Sequence, residues 1–132
     1  MQKLEKLSSN RPIELVERKN EGKKIIEYYG DFVPEQWIKA AGAEPYLIMK
    51  GGDPQAPEAT LDFSIRFMNP LAASMVGNYL RGVDRVMPMA DSVVIQQHDC
   101  HYGRMSEILE FKGLPVYKVG VPADNLVGIS RE

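Results

Sequence analysis

The run Ser92-Val93-Val94-Ile95, followed by Gln96-Gln97-His98-Asp99-Cys100-His101 and then by Tyr102 to Lys112, decides the fold class. Its opening residues are apolar and β-branched, which reads as a buried strand. The polar sextet reads as a loop. The residues after it read as a helix ending near Gly113, glycine being the common residue just past a helix. Strand, loop and helix in that order are the unit of an open α/β sheet. Loops at the carboxyl ends of such strands line the crevice where ligands sit. This loop also carries the only cysteine of the chain, flanked by two imidazoles and a carboxylate.

Outward from that unit the pattern repeats. Pro70 to Leu80 is expected to be a helix ending at Gly82. Leu71, Met75 and Val76 have helical spacing in it, and Ala72, Ala73, Ser74 and Gly77 permit close packing. Val83 to Ala90 connects it to the strand Ser92 to Gln96, and a further strand is expected from Leu114 to Val119. Upstream, Ser9-Asn10-Arg11-Pro12 opens a first helix, with polar caps and a proline suited to a first turn. Ile13 and Val16, with Leu15, supply its apolar side, and Asn20-Glu21-Gly22 stops it. Lys24 to Tyr29 is a strand rich in residues that fit a pleated surface. Pro34 to Gly42 is a short helix with proline at its start and glycine at its end. Trp37, Ile38 and Ala41 share one face of it by spacing. Pro45 to Met49 is the next strand, and Gly51-Gly52-Asp53-Pro54 a turn. Gln55 to Met68 is expected to be an irregular crossing around one short helix, Glu58 to Ile65, and Asp124 to Glu132 shows no clear element.

Strands alternating with helices predict an α/β, Rossmann-like three-layer domain with a roughly four-stranded parallel sheet, residues 1–132 forming a single domain. The chain ends soon after the last expected strand, where many such folds continue. A fragment, or a small protein that pairs, is therefore expected.

Composition narrows the function. The 132 residues are 44% hydrophobic and 26% charged, ordinary for a globular protein. The 16 basic residues are balanced by 18 acidic ones, so no nucleic-acid surface is expected. No apolar stretch approaches the roughly 20 residues that span a bilayer, and the charged start Met1 to Lys6 lacks a signal-peptide core. A single cysteine excludes an internal disulfide, and the expected compartment is the cytoplasm. No Gly-x-Gly-x-x-Gly follows a strand, and no Walker-type sequence or nucleophile elbow is present. Trp37 and the methionines Met49, Met68, Met75, Met87, Met89 and Met105 are expected in the core or at an interface.

Cys100 has three readings: a metal or cluster ligand, an inert thiol, and a reactive thiol at a helix N-terminus, where the dipole favours the thiolate. An iron–sulfur cluster needs three or four thiolates, and zinc four ligands. Glu35, at a helix N-terminus, is either an electrostatic cap or a carboxylate facing the crevice. Asp31 has the same alternatives.

The run Tyr28-Tyr29-Gly30-Asp31-Phe32-Val33-Pro34-Glu35-Gln36-Trp37-Ile38-Lys39-Ala40-Ala41-Gly42-Ala43-Glu44-Pro45 resembles the 2-hydroxyacyl-CoA dehydratase and benzoyl-CoA reductase subunit family. Members commonly show an aromatic strand end, Val-Pro-Glu-Glu-Leu-Ile, a spacer, Ala-Ala-Gly and a proline-containing strand. A Gly-Gly-Asp-Pro-like loop, a helix rich in small residues, the cysteine loop, Gly113-Leu114-Pro115-Val116-Tyr117 and Val121-Pro122 follow in matching order. The resemblance covers roughly Arg11 to Pro122.

The resemblance implies the N-terminal Rossmann-like domain of a much longer subunit that pairs with a related one. Cysteines from both of that subunit's domains hold an iron–sulfur (4Fe-4S) cluster. An ATP-dependent activator delivers an electron, and an acyl-CoA is dehydrated or reduced by radical chemistry in anaerobic metabolism. By position, Cys100 matches a cluster cysteine, while Asn69 stands where an earlier one falls. Ligands would therefore have to come from elsewhere, from a paralogous subunit or another copy of the chain. Glu35 matches the first Glu of the Pro-Glu-Glu motif, and Gln36 replaces the second. The implied roles are Glu35 as catalytic residue, Cys100 as cluster or metal ligand, and Asp31, Asn69, His98 and His101 around the substrate. The activity would be a lyase or a CoA-thioester reductase. The alternative is a non-catalytic, degenerate relative serving as a binding or assembly module.

Overall fold

A computed structural model describes residues 2–64 and 66–121. The helix α1 (Gln2–Asn20) leads into β1 (Ile25–Tyr29), α2 (Glu35–Ala40) and β2 (Glu44–Leu47). A crossing containing a 3-10 turn, Pro57–Thr60, leads to α3 (Pro70–Leu80). Then come a second 3-10 turn, Met87–Met89, and β3 (Ser92–Gln97), α4 (Cys100–Phe111) and β4 (Val116–Gly120). The strands form one four-stranded sheet in the order β2-β1-β3-β4. Every pairing is parallel. The fold is thus the expected α/β, Rossmann-like layered arrangement, and the strand order reverses between β1 and β3. Such a reversal opens a crevice, because the loops leaving those two strands diverge to opposite faces.

Register assigns the faces. Glu27 pairs with Tyr46 and Val93, and Tyr29 with Ile95, so these side chains share one face. That face carries the main core: Val93 and Ile95 pack with Ala72, Met75 and Val76 of α3 and with Tyr102, Met105, Ile108 and Leu109 of α4. On the other face Tyr28, Ile26 and Val94 pack under α2 through Ile38, with Val33 and Ala43. Near the amino ends of the strands, Leu15 of α1 packs with Ile25 and Val86.

Several expectations need correction. The first helix begins at Gln2 rather than near Ser9 and runs through Pro12. Among its described side chains Leu15 is the buried one, while Ile13 and Val16 face outward. Leu15 is the residue that the helix contributes to the buried cluster with Ile25 and Val86. Ile38 is the only buried residue of α2, and Trp37 is 76% exposed. The helix has six residues, too few to turn a broad stripe inward. Met49 is also exposed, whereas Met75, Met87 and Met105 are fully buried. The short helix expected from Glu58 to Ile65 is the 3-10 turn Pro57–Thr60, with Ile65 outside the described residues. The strand β2 starts at Glu44 and ends at Leu47, and β4 runs from Val116 to Gly120. The stretch from Asp124 to Glu132 also lies outside the described residues. Among the described residues no helix is long and apolar enough to cross a membrane.

Candidate functional site

The loops leaving β1 and β3 meet at the switch point. There, Tyr29, Gly30, Asp31 and Phe32 from the first, Gln96 and His98 from the second, and the chain after β2 line a cleft of about 600 Å³. The order of the polar groups inside it follows from one glycine. Gly30 has φ +118°, and a Cβ there would lie 2.3 Å from the Gln96 side chain. Only glycine tolerates both conditions. Gln96 therefore lies buried against the β1 loop and accepts a hydrogen bond from the Phe32 amide at 3.0 Å. Its amide nitrogen lies 3.3 Å from His98 Nδ1. The His98 ring packs on Tyr102, centroids 4.6 Å apart, and Tyr102 stacks on Tyr29 at 4.6 Å. The hydroxyls of Tyr29 and Tyr102 share a hydrogen bond of 2.6 Å. Burial, then the bond to Tyr29, pushes the Tyr102 hydroxyl pKa up.

A second group forms where the N-termini of α3 and α4 converge. Asp99 caps α4, accepting from the amides of His101 at 2.8 Å and Tyr102 at 3.1 Å. This cap draws Cys100 and His101 into the helix, which starts two residues earlier than the sequence suggests. Asn69 caps α3, accepting from Leu71 N at 2.9 Å and Ala72 N at 3.4 Å. The two caps are joined: Asn69 N–H donates to His101 Nδ1 at 3.2 Å. Cys100 is exposed and, with His101, Phe63, Ser64, Met68 and Arg104, lines a mainly apolar hollow of about 490 Å³.

Glu35 lies apart from that group. It is the first residue of α2, accepts from the Tyr28 hydroxyl at 2.9 Å and pairs with Lys39. Lys39, then Tyr28, holds its carboxyl below the usual range. Burial, then Glu35, pushes the Tyr28 hydroxyl up to about 12. Asp31 and Glu35 share a shallow hollow beside Phe32 and Leu47. Asp31 does not cap α2, whose N-cap is Pro34 without a side-chain bond.

The residues singled out from sequence therefore fall into two groups. Asp31 and His98 line the switch-point cleft, and Glu35 lines the neighbouring hollow; Asn69 bonds His101 at the α3–α4 junction, with Cys100 beside His101 at the start of α4. The donors of the second group do not fit a 4Fe-4S cluster on this chain alone. One thiolate is available where three or four are needed, and the Asn69 oxygen is committed to its cap. Among the described residues, no three of His, Cys, Asp and Glu are grouped to hold a metal ion.

Sequence reasoning missed Gln96, whose role depends on an amide 64 residues away in the chain. It also missed Glu27, fully buried on β1 with neither carboxylate oxygen paired. A glutamate between Ile26 and Tyr28 was the available signal. No family model matches the chain, and no curated protein matches it.

Proposed function

We propose that the chain acts as the N-terminal domain of a 2-hydroxyacyl-CoA dehydratase-like or benzoyl-CoA reductase-like subunit, working on an acyl-CoA only within a larger assembly. The observation that supports this reading best is the Asn69 N–H to His101 Nδ1 bond. Residues 69 and 100 are the positions that the family resemblance aligns with cluster cysteines. They are 31 apart in sequence yet belong to adjoining helix N-termini. A paralogous subunit or another copy of the chain would bring the missing thiolates, and an ATP-dependent activator the electron. Reducing, anaerobic cytoplasm would keep the single thiol free.

A second reading has its own support. Asn69 performs a complete capping role, so position 69 serves helix stability without any metal. On that reading the chain is a degenerate relative, retained as a binding or assembly module.

One experiment separates them. The chain, its Asn69→Cys variant and the variant carrying Cys100→Ser as well are treated anaerobically with ferrous iron, sulfide and a small thiol. The first reading predicts that Asn69→Cys retains several-fold more iron and sulfide through gel filtration than the other two. Equal background iron in all three contradicts it and favours the module. Titration with butyryl-CoA followed by NMR tests the substrate; an unchanged spectrum at millimolar ligand counts against acyl-CoA binding.

A further inference from the structure

The switch-point cleft has features that the α3–α4 junction does not explain. Its walls are apolar, from Phe32, Leu47, Ile48, Met49 and Leu71. Three of these large side chains are held in water at the mouth: Phe32 is 67% exposed, Met49 69% and Leu47 45%. Among the described residues that line it there is no lysine or arginine, and Asp31 is its one carboxylate. Among the described residues, a phosphate or carboxylate ligand would meet no lysine or arginine there and one carboxylate. An uncharged, flat apolar body would instead cover the exposed side chains.

The polar end is fixed by a chain of obligatory donors. A backbone N–H can only donate, so the Phe32 amide requires the oxygen of Gln96 to face it. The NH2 of Gln96 then faces His98 Nδ1 at 3.3 Å. An NH2 can only donate, so Nδ1 must carry the lone pair, and the neutral ring keeps its proton on Nε2. The nearest carboxylate oxygen to Nε2, on Asp99, is 3.8 Å away, beyond hydrogen-bond reach. The Tyr102 ring supports the imidazole from one side. His98, which lines the cleft, is thus held in one tautomer, with Nε2–H as its donor, by a buried glutamine (7% exposed) that Gly30 makes room for.

We propose that this cleft is a binding site for an uncharged carbonyl compound with a flat apolar body, whose oxygen accepts a hydrogen bond from His98 Nε2–H. Gln96 is the positioning residue. The site stands whether or not a partner completes the Cys100 corner, and its test involves no metal. The isotopically labelled chain is titrated with acetanilide and separately with phenyl phosphate. Acetanilide should shift the resonances of Gly30, Phe32, Met49 and His98 saturably, and His98→Ala should weaken it roughly fivefold, the worth of one hydrogen bond. Long-range proton–nitrogen spectra should show His98 protonated at Nε2 in the parent chain. In Gln96→Glu the new carboxylate should draw the proton to Nδ1. Phenyl phosphate binding the same residues as tightly, neither compound binding, no loss in His98→Ala, or an Nδ1–H tautomer in the parent chain would each overturn the proposal.

Discussion

Glu27 sits in the middle of β1, fully buried, with both carboxylate oxygens lacking a partner. Burial first, and then the charge of Asp84, raises its pKa from 4.5 to about 9, with Lys50 opposing. Lys50 instead pairs at 3.3 Å with buried Asp84, which also caps the amides of Val86 and Met87. Tyr46 faces the same acidic pair, and burial followed by Asp84 and Glu27 raises its own pKa. At neutral pH Glu27 is therefore protonated in the fold and ionised in the unfolded chain. The folded state binds the extra proton, so the contribution of Glu27 to stability is greatest below the unfolded pKa of 4.5 and falls as pH rises towards about 9. The slope is about 1.4 kcal/mol per pH unit at most. Glu27→Gln, which mimics the protonated form, should raise stability at about pH 8 by a few kcal/mol and flatten this slope. Urea unfolding at mildly acidic and mildly alkaline pH measures both. A variant less stable than the parent at alkaline pH would show that Glu27 is ionised in the fold.

Among the elements, α3 makes a backbone-close contact. A Cβ on Gly77 would lie 1.7 Å from the Ala56 carbonyl oxygen, so the helix meets the Pro57–Thr60 turn backbone to backbone. Gly77→Ala should cost about 3 kcal/mol or more, because backbone cannot yield as a side chain can. A urea midpoint within error of the parent's would contradict that contact. The small residues of α3 announced this packing, and the β-branched run of β3 announced a central strand, because both signals are local. The boundary of α4 was less legible. His98-Asp99-Cys100-His101 is polar enough for a loop, and only the Asp99 cap shows that the helix begins at Cys100. The inward residue of α1 was hidden for another reason. Ile13 and Val16 make the better apolar pair in sequence, but it is Leu15 that packs with Ile25 and Val86, a contact made across the chain. The site divided along the same line. Cys100 and His98 stood out as residue types, whereas the Gly30–Gln96–His98 arrangement depends on two loops meeting across β1 and β3 and leaves no local trace.

Across the whole molecule, Asp91 ties the amino ends of the strands together. It accepts from Ile25 N at 2.9 Å and pairs with Lys19 of α1 and with Lys24, each at 3.2 Å. Burial raises its pKa, but the Ile25 amide and the two lysines outweigh that and leave it lowered. Its contribution is therefore present above the unfolded carboxylate pKa and is lost as pH falls through the folded value. Asp91→Ala should cost about 2 kcal/mol at neutral pH and less in acid; an equal loss at both would mean that its charge is irrelevant. At the opposite, carboxyl ends lie the switch-point cleft and the α3–α4 junction. Residues 69 and 100 lie at the adjoining helix N-termini of that junction, while α2, bearing Glu35, packs on the other face of the sheet. Cys100 is the only thiol and is exposed, so a nitroxide can be attached there without mutation. Paramagnetic broadening of backbone amides then measures proximity directly. The amides of Ser64, Asn69 and Leu71 should broaden far more than those of Gln36 to Ala40; equal or greater broadening in α2 would contradict the account.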